Sequence, residues 1–201
     1  MDAHFLSIFR QTDAPVARGK YLSRVFGIFS EEIVRMWAGD HRCPYEDLGR
    51  PTLRKRGETS GSTLDFTLRH KATGKAYVAE LKCEIEYQNY KYLVLSDIKQ
   101  LAHHSKAAFF ALLDAAARSP EQQAFVAGKA LEVDGAILIW GAATLEGRRA
   151  VIDAYGFSQV ITMAEIIDEL RGWGYEPYRQ LIEDRRSWAN EMFDALLAPR
   201  T

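Results

Sequence analysis

The chain has only two cysteines, Cys43 and Cys83, among its 201 residues. Neither belongs to a C-x-x-C pair or to a spacing typical of zinc ligands, so we expect neither a disulfide framework nor a zinc site. The sequence also lacks an apolar run of the 18 or more residues that a membrane span requires, and its N-terminus lacks the pattern of a signal peptide. These absences favour a soluble, cytoplasmic protein.

The chain also lacks an excess of either charge. It has 26 Lys and Arg residues against 27 Asp and Glu residues, which gives a formal net charge of −1. This balance counts against a general binder of polyanions, because such proteins usually carry a clear basic excess. No low-complexity linker, long charge run or internal repeat divides the sequence. We therefore expect a single domain over residues 1–201.

Alternating apolar and polar residues predict a half-buried strand over Ser62–His70. Asp65 falls on its polar side, together with threonines and an arginine. The apolar side of this predicted strand is formed by Leu64, Phe66 and Leu68.

A second alternating stretch, Tyr77–Ile85, places Glu80 and Lys82 opposite its apolar residues. The joining stretch Lys71–Lys75 includes Gly74, which suits the positive φ of a tight turn. The two strands are therefore predicted to form an antiparallel hairpin. In that hairpin Asp65 and Glu80 lie on neighbouring strands.

Two carboxylates on neighbouring strands are suited to binding a divalent cation. Mg²⁺ prefers oxygen ligands, usually one or two carboxylates together with waters and a substrate phosphate. Lys82, two residues after Glu80 on the same face, would place an ammonium group beside such an ion. There it can orient an attacking water or stabilise a charged phosphate.

The spacing of Asp65 and, 15 positions later, Glu80-Leu81-Lys82 resembles the motif of the PD-(D/E)XK nuclease superfamily. The proline that usually precedes the aspartate is replaced by Leu64 here. The resemblance implies a restriction-endonuclease-like core over residues 20–141: a helix, three antiparallel strands, a helix and a further strand. It also implies Mg²⁺, with Mn²⁺ able to substitute, held by Asp65, Glu80 and the Leu81 carbonyl. Lys82 would then assist hydrolysis of DNA phosphodiesters.

The acid-x-Lys triplet alone is weakly specific, because a chain of this composition contains about one by chance. Asp97-Ile98-Lys99 repeats the triplet at the start of a helical pattern. The alternative is that Asp65, Glu80 and Lys82 form the solvated face of an amphipathic hairpin, with charges paired across its strands.

The flanking patterns follow the order of elements that the resemblance implies. Helical periodicity predicts helices over Tyr21–Ala38 and Ser96–Ala117. An irregular strand is predicted at Thr52–Lys55, and a buried strand at Gly135–Trp140. The expected fold class is therefore α/β, with a mixed central sheet flanked by helices.

Residues 142–201 are predicted to add a C-terminal extension of one strand and two helices. The strand is expected at Gln159–Thr162, with Thr162 as a cap for the helix Ala164–Arg171. A longer helix is expected over Pro177–Leu197, because proline suits the first turn of a helix.

The first helix offers a further acid near the metal, because many members of the superfamily place a glutamate there. Glu32 borders the apolar stripe of that helix, whereas Glu31 lies opposite its centre. Glu32 is therefore the predicted additional ligand. The alternative is an ordinary surface glutamate at the edge of the stripe. Glu84, on the same strand face as Glu80, is another candidate.

Three groups of residues are candidates for contact with nucleic acid. The basic cluster of Arg50 and residues 54–56 precedes Asp65, and positive charges there favour contact with phosphates. A stretch rich in tyrosines and amides follows Lys82, and such side chains can stack on bases. By analogy with the superfamily that the motif resembles, Gln100 would lie near the scissile phosphate. The predicted contacts are Arg54, Lys55, Arg56, Gln88, Tyr90, Lys91, Tyr92 and Gln100.

The favoured function is a Mg²⁺-dependent nuclease acting on DNA. One alternative keeps the fold but loses the chemistry, which leaves a nucleic-acid-binding or assembly module. Another is a scaffold that binds only proteins. Cutting both strands of a duplex ordinarily needs two active sites, so a homodimer is considered as well. A minimal core also suggests weak intrinsic specificity, or specificity that a protein partner or dimerisation supplies.

Overall fold

A computed structural model describes residues 19–82, 93–102 and 104–197. Within these ranges the chain is a mixed α/β structure with five α-helices, two larger β-sheets and a small strand pair. The predicted α/β class, with a mixed central sheet flanked by helices, is confirmed.

The strands are numbered in chain order. They are β1 Tyr45–Asp47, β2 Pro51–Lys55, β3 Ser62–Thr63, β4 Phe66–His70, β5 Ala76–Lys82, β6 Val94–Leu95, β7 Gln122–Val126, β8 Lys129–Leu131, β9 Ala136–Trp140, β10 Ala142–Ala143 and β11 Gln159–Thr162.

The α-helices are also numbered in chain order, and a short 3₁₀ helix, Ile98–Leu101, precedes the second of them. The α-helices are α1 Gly19–Gly39, α2 Ala107–Ala116, α3 Leu145–Tyr155, α4 Met163–Gly172 and α5 Glu176–Leu197. None of the helices in the described ranges combines the length and the apolar composition that a membrane crossing requires.

The central sheet has the strand order β1-β4-β5-β9-β11. β1, β4 and β5 pair antiparallel, whereas β9 and β11 continue the sheet in parallel with β5. A second sheet, with the order β3-β2-β7-β8, is antiparallel throughout. The chain crosses from the first sheet to the second between β1 and β2, and it returns between β3 and β4.

Both faces of the central sheet are covered. On one face, called here the α1 face, Phe66 and Leu81 pack with residues of α1 and α4. On the other, the α2 face, Val78 and Trp140 pack with residues of α2 and α3. All five residues of β9 are 0 % exposed, as expected of a strand packed on both faces.

Several predicted elements are confirmed within a residue or two. They include the first helix, the strands β9 and β11, and the helices α4 and α5. Thr162 caps α4 through a capping box with Glu165, in which each side chain accepts a hydrogen bond from the other residue's backbone amide. The hairpin between β4 and β5 also forms, with Gly74 at φ +71° in its turn.

The long helix predicted over Ser96–Ala117 is wrong. The Asp97 side chain caps only the single 3₁₀ turn Ile98–Leu101, and α2 begins at Ala107. Leu101 and Leu112 nevertheless pack in the same core cluster, on the α2 face. Two short segments that bury one common stripe therefore imitate the periodicity of one continuous helix.

The strand predicted at Thr52–Lys55 exists as β2, but it belongs to the second sheet. The first antiparallel strand of the central sheet is instead β1, which the sequence did not reveal because it has only three residues. The hairpin β7-β8 and the helix α3 were not predicted either. Thr144 as cap and Gly156 at φ +77° bracket α3, and both signals were present in the sequence.

Gly147 lies in the first turn of α3, where that helix packs on the segment after β6. A Cβ at this position would stand 2.4 Å from the Leu95 carbonyl oxygen and 2.6 Å from the Ser96 Cα. Because both neighbours are backbone atoms, we expect Gly147→Ala to lower the free energy of unfolding by about 1–3 kcal/mol in urea titrations. Gly27→Ala in α1 is the control, because a Cβ there has no described neighbour within 4 Å. Equal effects of the two substitutions would contradict this packing.

Asp40 follows α1, and its buried carboxylate accepts hydrogen bonds from Nε and a terminal nitrogen of Arg42 at 2.8 and 2.7 Å. These bonds hold the pKa of Asp40 well below its usual range, although burial acts in the opposite direction. A lowered pKa in the folded state stabilises the protein above the unfolded pKa of about 3.9, and this contribution is lost as the pH falls below it.

We therefore expect Arg42→Met to lower the urea midpoint of unfolding at pH 7. The difference in urea midpoint between the variant and the wild type should become smaller below about pH 4. Arg179→Met, which breaks the exposed pair with Glu176, is the matched control and should have a smaller effect at pH 7. A difference from the wild type that stays constant with pH would contradict this role of Arg42.

Candidate functional site

Asp65 lies where the chain returns from the second sheet to the central sheet. β3 ends at Thr63 and β4 begins at Phe66, so the predicted continuous strand Ser62–His70 is interrupted. Leu64 consequently packs on the α2 face, whereas Phe66 packs on the α1 face. The expectation that both share one face was wrong, because the crossing reverses the alternation.

The Asp65 carboxylate is fixed against the middle of the central sheet. Its Oδ2 accepts a hydrogen bond of 2.9 Å from the Leu81 backbone amide of β5. The register of β4 and β5, extended past the Phe66–Ala79 pair, would place Leu81 opposite Leu64. At this interruption the side chain of Asp65 binds the β5 backbone, and its charge therefore lies beside Glu80.

Glu80 carries the most deeply buried carboxylate of this group, with the residue 6 % exposed. One oxygen, Oε1, accepts a hydrogen bond of 2.5 Å from Nζ of Lys82, on the same strand face. The other oxygen, Oε2, is buried and has no hydrogen-bond partner among the described residues. Such an oxygen is costly to leave unsatisfied, so it marks a place where a ligand would gain binding energy.

The electrostatics of Glu80 reflect this environment. Burial raises the pKa of its carboxyl group, and the negative charge of Asp65 raises it further. The Lys82 ammonium lowers the pKa but does not offset both effects. An added positive charge near Oε2 would favour the ionised form of Glu80.

Arg50 completes the group from the other crossing between the sheets. Its guanidinium lies 3.6 Å from Oδ1 of Asp65, and its Nε donates a hydrogen bond of 3.4 Å to the Leu64 carbonyl. The Leu64 backbone amide donates a hydrogen bond of 3.0 Å to the Pro51 carbonyl, and this bond holds the two crossings together. The basic cluster in the sequence included Arg50, but its proximity to Asp65 depends on how the chain crosses between the sheets.

The described residues contain no group of three or more His, Cys, Asp and Glu side chains able to hold a metal ion. A magnesium site does not require three, because one or two carboxylates with waters and a substrate phosphate are sufficient. Asp65 and Glu80 supply two oxygen-rich side chains, and Oε2 of Glu80 lacks a partner in the described part of the chain. The Leu81 carbonyl lies next to Glu80 along β5. These residues fit a hard divalent cation.

The structure does not bring Glu32 to this pair. Its helix, α1, packs on the α1 face of the sheet, whereas Glu80 and Lys82 share the strand side of Val78, on the α2 face. The Glu32 carboxylate instead lies 3.0 Å from a terminal nitrogen of Arg185 in α5. Glu32 therefore lies where α1 and α5 meet.

The basic residues 54–56 lie at the end of β2 and just beyond it. The half-buried guanidinium of Arg54 stacks 4.7 Å above the Phe125 ring, whereas Lys55 and Arg56 are exposed. With about 3.3 Å per strand residue, Arg54 lies about 13 Å along the strand direction from Arg50. The predicted cluster is thus divided between a position beside Asp65 and a surface of the second sheet.

The prediction that Gln100 contacts nucleic acid is not supported by its position. The residue is 7 % exposed, and its Oε1 accepts hydrogen bonds from the backbone amides of Ser96 and Asp97. Its Nε2 donates to the Val94 carbonyl. Gln100 therefore holds its own loop together. The remaining candidates lie outside the described residues: Glu84, Gln88, Tyr90, Lys91 and Tyr92.

Comparisons of the chain with models of protein families, with curated proteins and with solved structures gave no match. The function of the chain is therefore inferred from the chemistry of the residues that the fold brings together. Those residues are Asp65, Glu80, Lys82 and Arg50.

The buried pair of Glu80 and Lys82 can be tested independently of any ligand. Lys82→Met leaves the Glu80 charge buried without its cation, so we expect the free energy of unfolding at pH 7 to fall by about 3 kcal/mol. The loss should shrink as the pH falls, because Glu80 becomes protonated in the variant. A double variant, Glu80→Gln with Lys82→Met, should recover much of the stability. If the losses in free energy of unfolding caused by Glu80→Gln and by Lys82→Met simply add in the double variant, the pairing is contradicted.

Proposed function

We propose that the chain is a Mg²⁺-dependent nuclease that hydrolyses phosphodiester bonds of DNA. The observation that carries the proposal is the convergence of Asp65 and Glu80 beside Lys82, with one Glu80 oxygen lacking a partner among the described residues. A set of solvated surface charges would not account for a carboxylate buried in the middle of the central sheet, as that of Glu80 is.

The topology supports a restriction-endonuclease-like core as part of this proposal. The order α1, β1, β4, β5, α2, β9 corresponds to a helix, three antiparallel strands, a helix and a strand parallel to the third. The strands β2 and β3 are inserted between β1 and β4, and they contribute to the second sheet. This insertion also brings Arg50 to Asp65.

In the proposed reaction Asp65 and Glu80 would hold the ion, with the Leu81 carbonyl as a further ligand. Bound Mg²⁺ would polarise a phosphoryl oxygen and lower the pKa of a bound water. Lys82 donates hydrogen bonds from a position fixed by the central strand, which lets it orient the attacking water or stabilise the negative phosphate. The carboxylate of Asp65 stays in place through the Leu81 amide.

Contact with DNA is assigned to positive side chains beyond the ion site. Lys55 and Arg56 are exposed at the end of β2, and their charges suit phosphates that follow the scissile one along the strand. A net charge of −1 does not oppose this assignment, because a few local phosphate contacts do not require a basic excess over the whole chain.

A second candidate function is a nucleic-acid-binding or assembly module without catalysis. One observation favours it: Lys82 neutralises Glu80 and Arg50 lies beside Asp65, so the charges of the group are balanced without an ion. Such a module would bind its partner equally well with a chelator and with a metal.

Cleavage assays distinguish the two candidates. Supercoiled plasmid and a labelled single strand are incubated with the protein in Mg²⁺, Mn²⁺ or EDTA. We expect cleavage only with metal, and a loss of about 10²–10³-fold in rate for Lys82→Ala, because an electrostatic stabiliser of the reaction is removed. Arg179→Gln, which removes one charge on α5, is the control and should leave the rate unchanged. Nicked, linear and shortened products identify the mode of cleavage.

Thermal unfolding supplies a second readout in the same samples. Mn²⁺ at about 100 times its Kd should stabilise the wild type by about 2.7 kcal/mol, and Asp65→Asn should reduce that shift. Metal-independent DNA binding with no turnover would support the binding module. If the protein neither cleaves nor binds nucleic acid, the nuclease proposal is wrong.

A further inference from the structure

Two cations lie beside the two carboxylates of the candidate site, and they differ in how firmly they are held. Nζ of Lys82 is 2.5 Å from Glu80, and the lysine side chain is 19 % exposed. A terminal nitrogen of Arg50 is 3.6 Å from Asp65, and the arginine side chain is 56 % exposed. Only the lysine extends from a strand in the middle of the central sheet.

The second contact of Arg50, with the Leu64 carbonyl, is also weak. Its Nε bond to the Leu64 carbonyl is 3.4 Å long, near the upper limit for a hydrogen bond. An exposed pair at this distance contributes little to stability, because water screens it and the long side chain must be ordered. The guanidinium can therefore leave Asp65 at low energetic cost.

A bound dication changes the charge balance at this point. Without it, Asp65 and Glu80 are offset by Arg50 and Lys82. When a dication binds the two carboxylates, the site acquires an excess of positive charge and repels one of its two cations. The exposed and loosely held Arg50 is the one free to move, and a substrate phosphate is an anion that guanidinium groups bind well.

We propose that Arg50 is an exchangeable cation: it neutralises Asp65 in the metal-free protein and contacts a substrate phosphate once a metal ion is bound. This inference rests on the proposed nuclease function. Arg50 then has two roles: it weakens metal binding by competing for Asp65, and it strengthens substrate binding by contacting a phosphate.

The two roles predict opposite effects of one substitution. Arg50→Gln removes the competitor, so the Kd for Mn²⁺ should fall by about two- to fivefold. The same substitution removes a phosphate contact, so the KM for DNA should rise by about three- to tenfold with little change in kcat. The log-log dependence of KM on salt concentration should become shallower by about one unit.

The test measures Mn²⁺ binding by calorimetry without DNA, and then KM and kcat on DNA at several salt concentrations. Wild type and Arg50→Gln are compared with Arg50→Lys, which keeps the charge and should retain most of the salt dependence. Arg179→Gln is the matched control, because it removes the same charge from an exposed pair on α5. It should leave both constants at their wild-type values.

The outcomes separate this inference from the proposed function. Tighter Mn²⁺ binding and weaker DNA binding by Arg50→Gln would support the exchange. Unchanged or weaker Mn²⁺ binding would overturn it, even if the wild type cleaves DNA. Tighter Mn²⁺ binding with an unchanged KM would overturn the phosphate contact.

If Arg50→Gln binds Mn²⁺ more tightly but the wild type never cleaves, competition at Asp65 is supported and the nuclease function fails. Absence of Mn²⁺ binding by the wild type would overturn both.

Discussion

The hydrogen bond from the Leu81 amide to the Asp65 carboxylate connects the crossing between the two sheets to the middle of the central sheet. β5 is held on both sides, by β4 and by β9, and therefore provides a rigid support for that contact. Because Asp65 is bound one residue away from Glu80, the two carboxylates keep a fixed relation. The candidate site depends on this contact, since Asp65 otherwise belongs to a short interruption between two strands.

Burial determines the chemistry that follows. Glu80 lies in a strand whose neighbours are packed on both faces, so its charge requires a partner, and Lys82 supplies one to a single oxygen. The remaining oxygen is buried and has no hydrogen-bond partner among the described residues, which makes it a strong acceptor for a ligand. Arg50, which is half exposed, acts on the outer side of the site under weaker constraints.

The sequence predicted those parts of the molecule that local patterns encode. The alternation along β5 identified Glu80 and Lys82 as neighbours on one strand face, and Gly74 identified the turn of the hairpin. The predicted helix Ser96–Ala117 was wrong because two separate segments, the 3₁₀ helix and α2, bury one apolar stripe. Local patterns also could not show that Glu32 pairs with Arg185, which is distant in the chain. Nor could they show that the buried amide of Gln100 forms hydrogen bonds within its own loop.

Local patterns in the sequence were enough to predict the α/β class, the hairpin of β4 and β5, the strands β9 and β11, the helices α1, α4 and α5, and the position of Glu80 and Lys82 on one strand face, because alternation and helical periodicity are local properties of the chain. Three relations appear only in the folded chain: Leu64 and Phe66 lie on opposite faces of the central sheet, β2 belongs to a second sheet, and Arg50 lies beside Asp65. Those relations depend on where the chain leaves one sheet for another, and long-range packing sets that point.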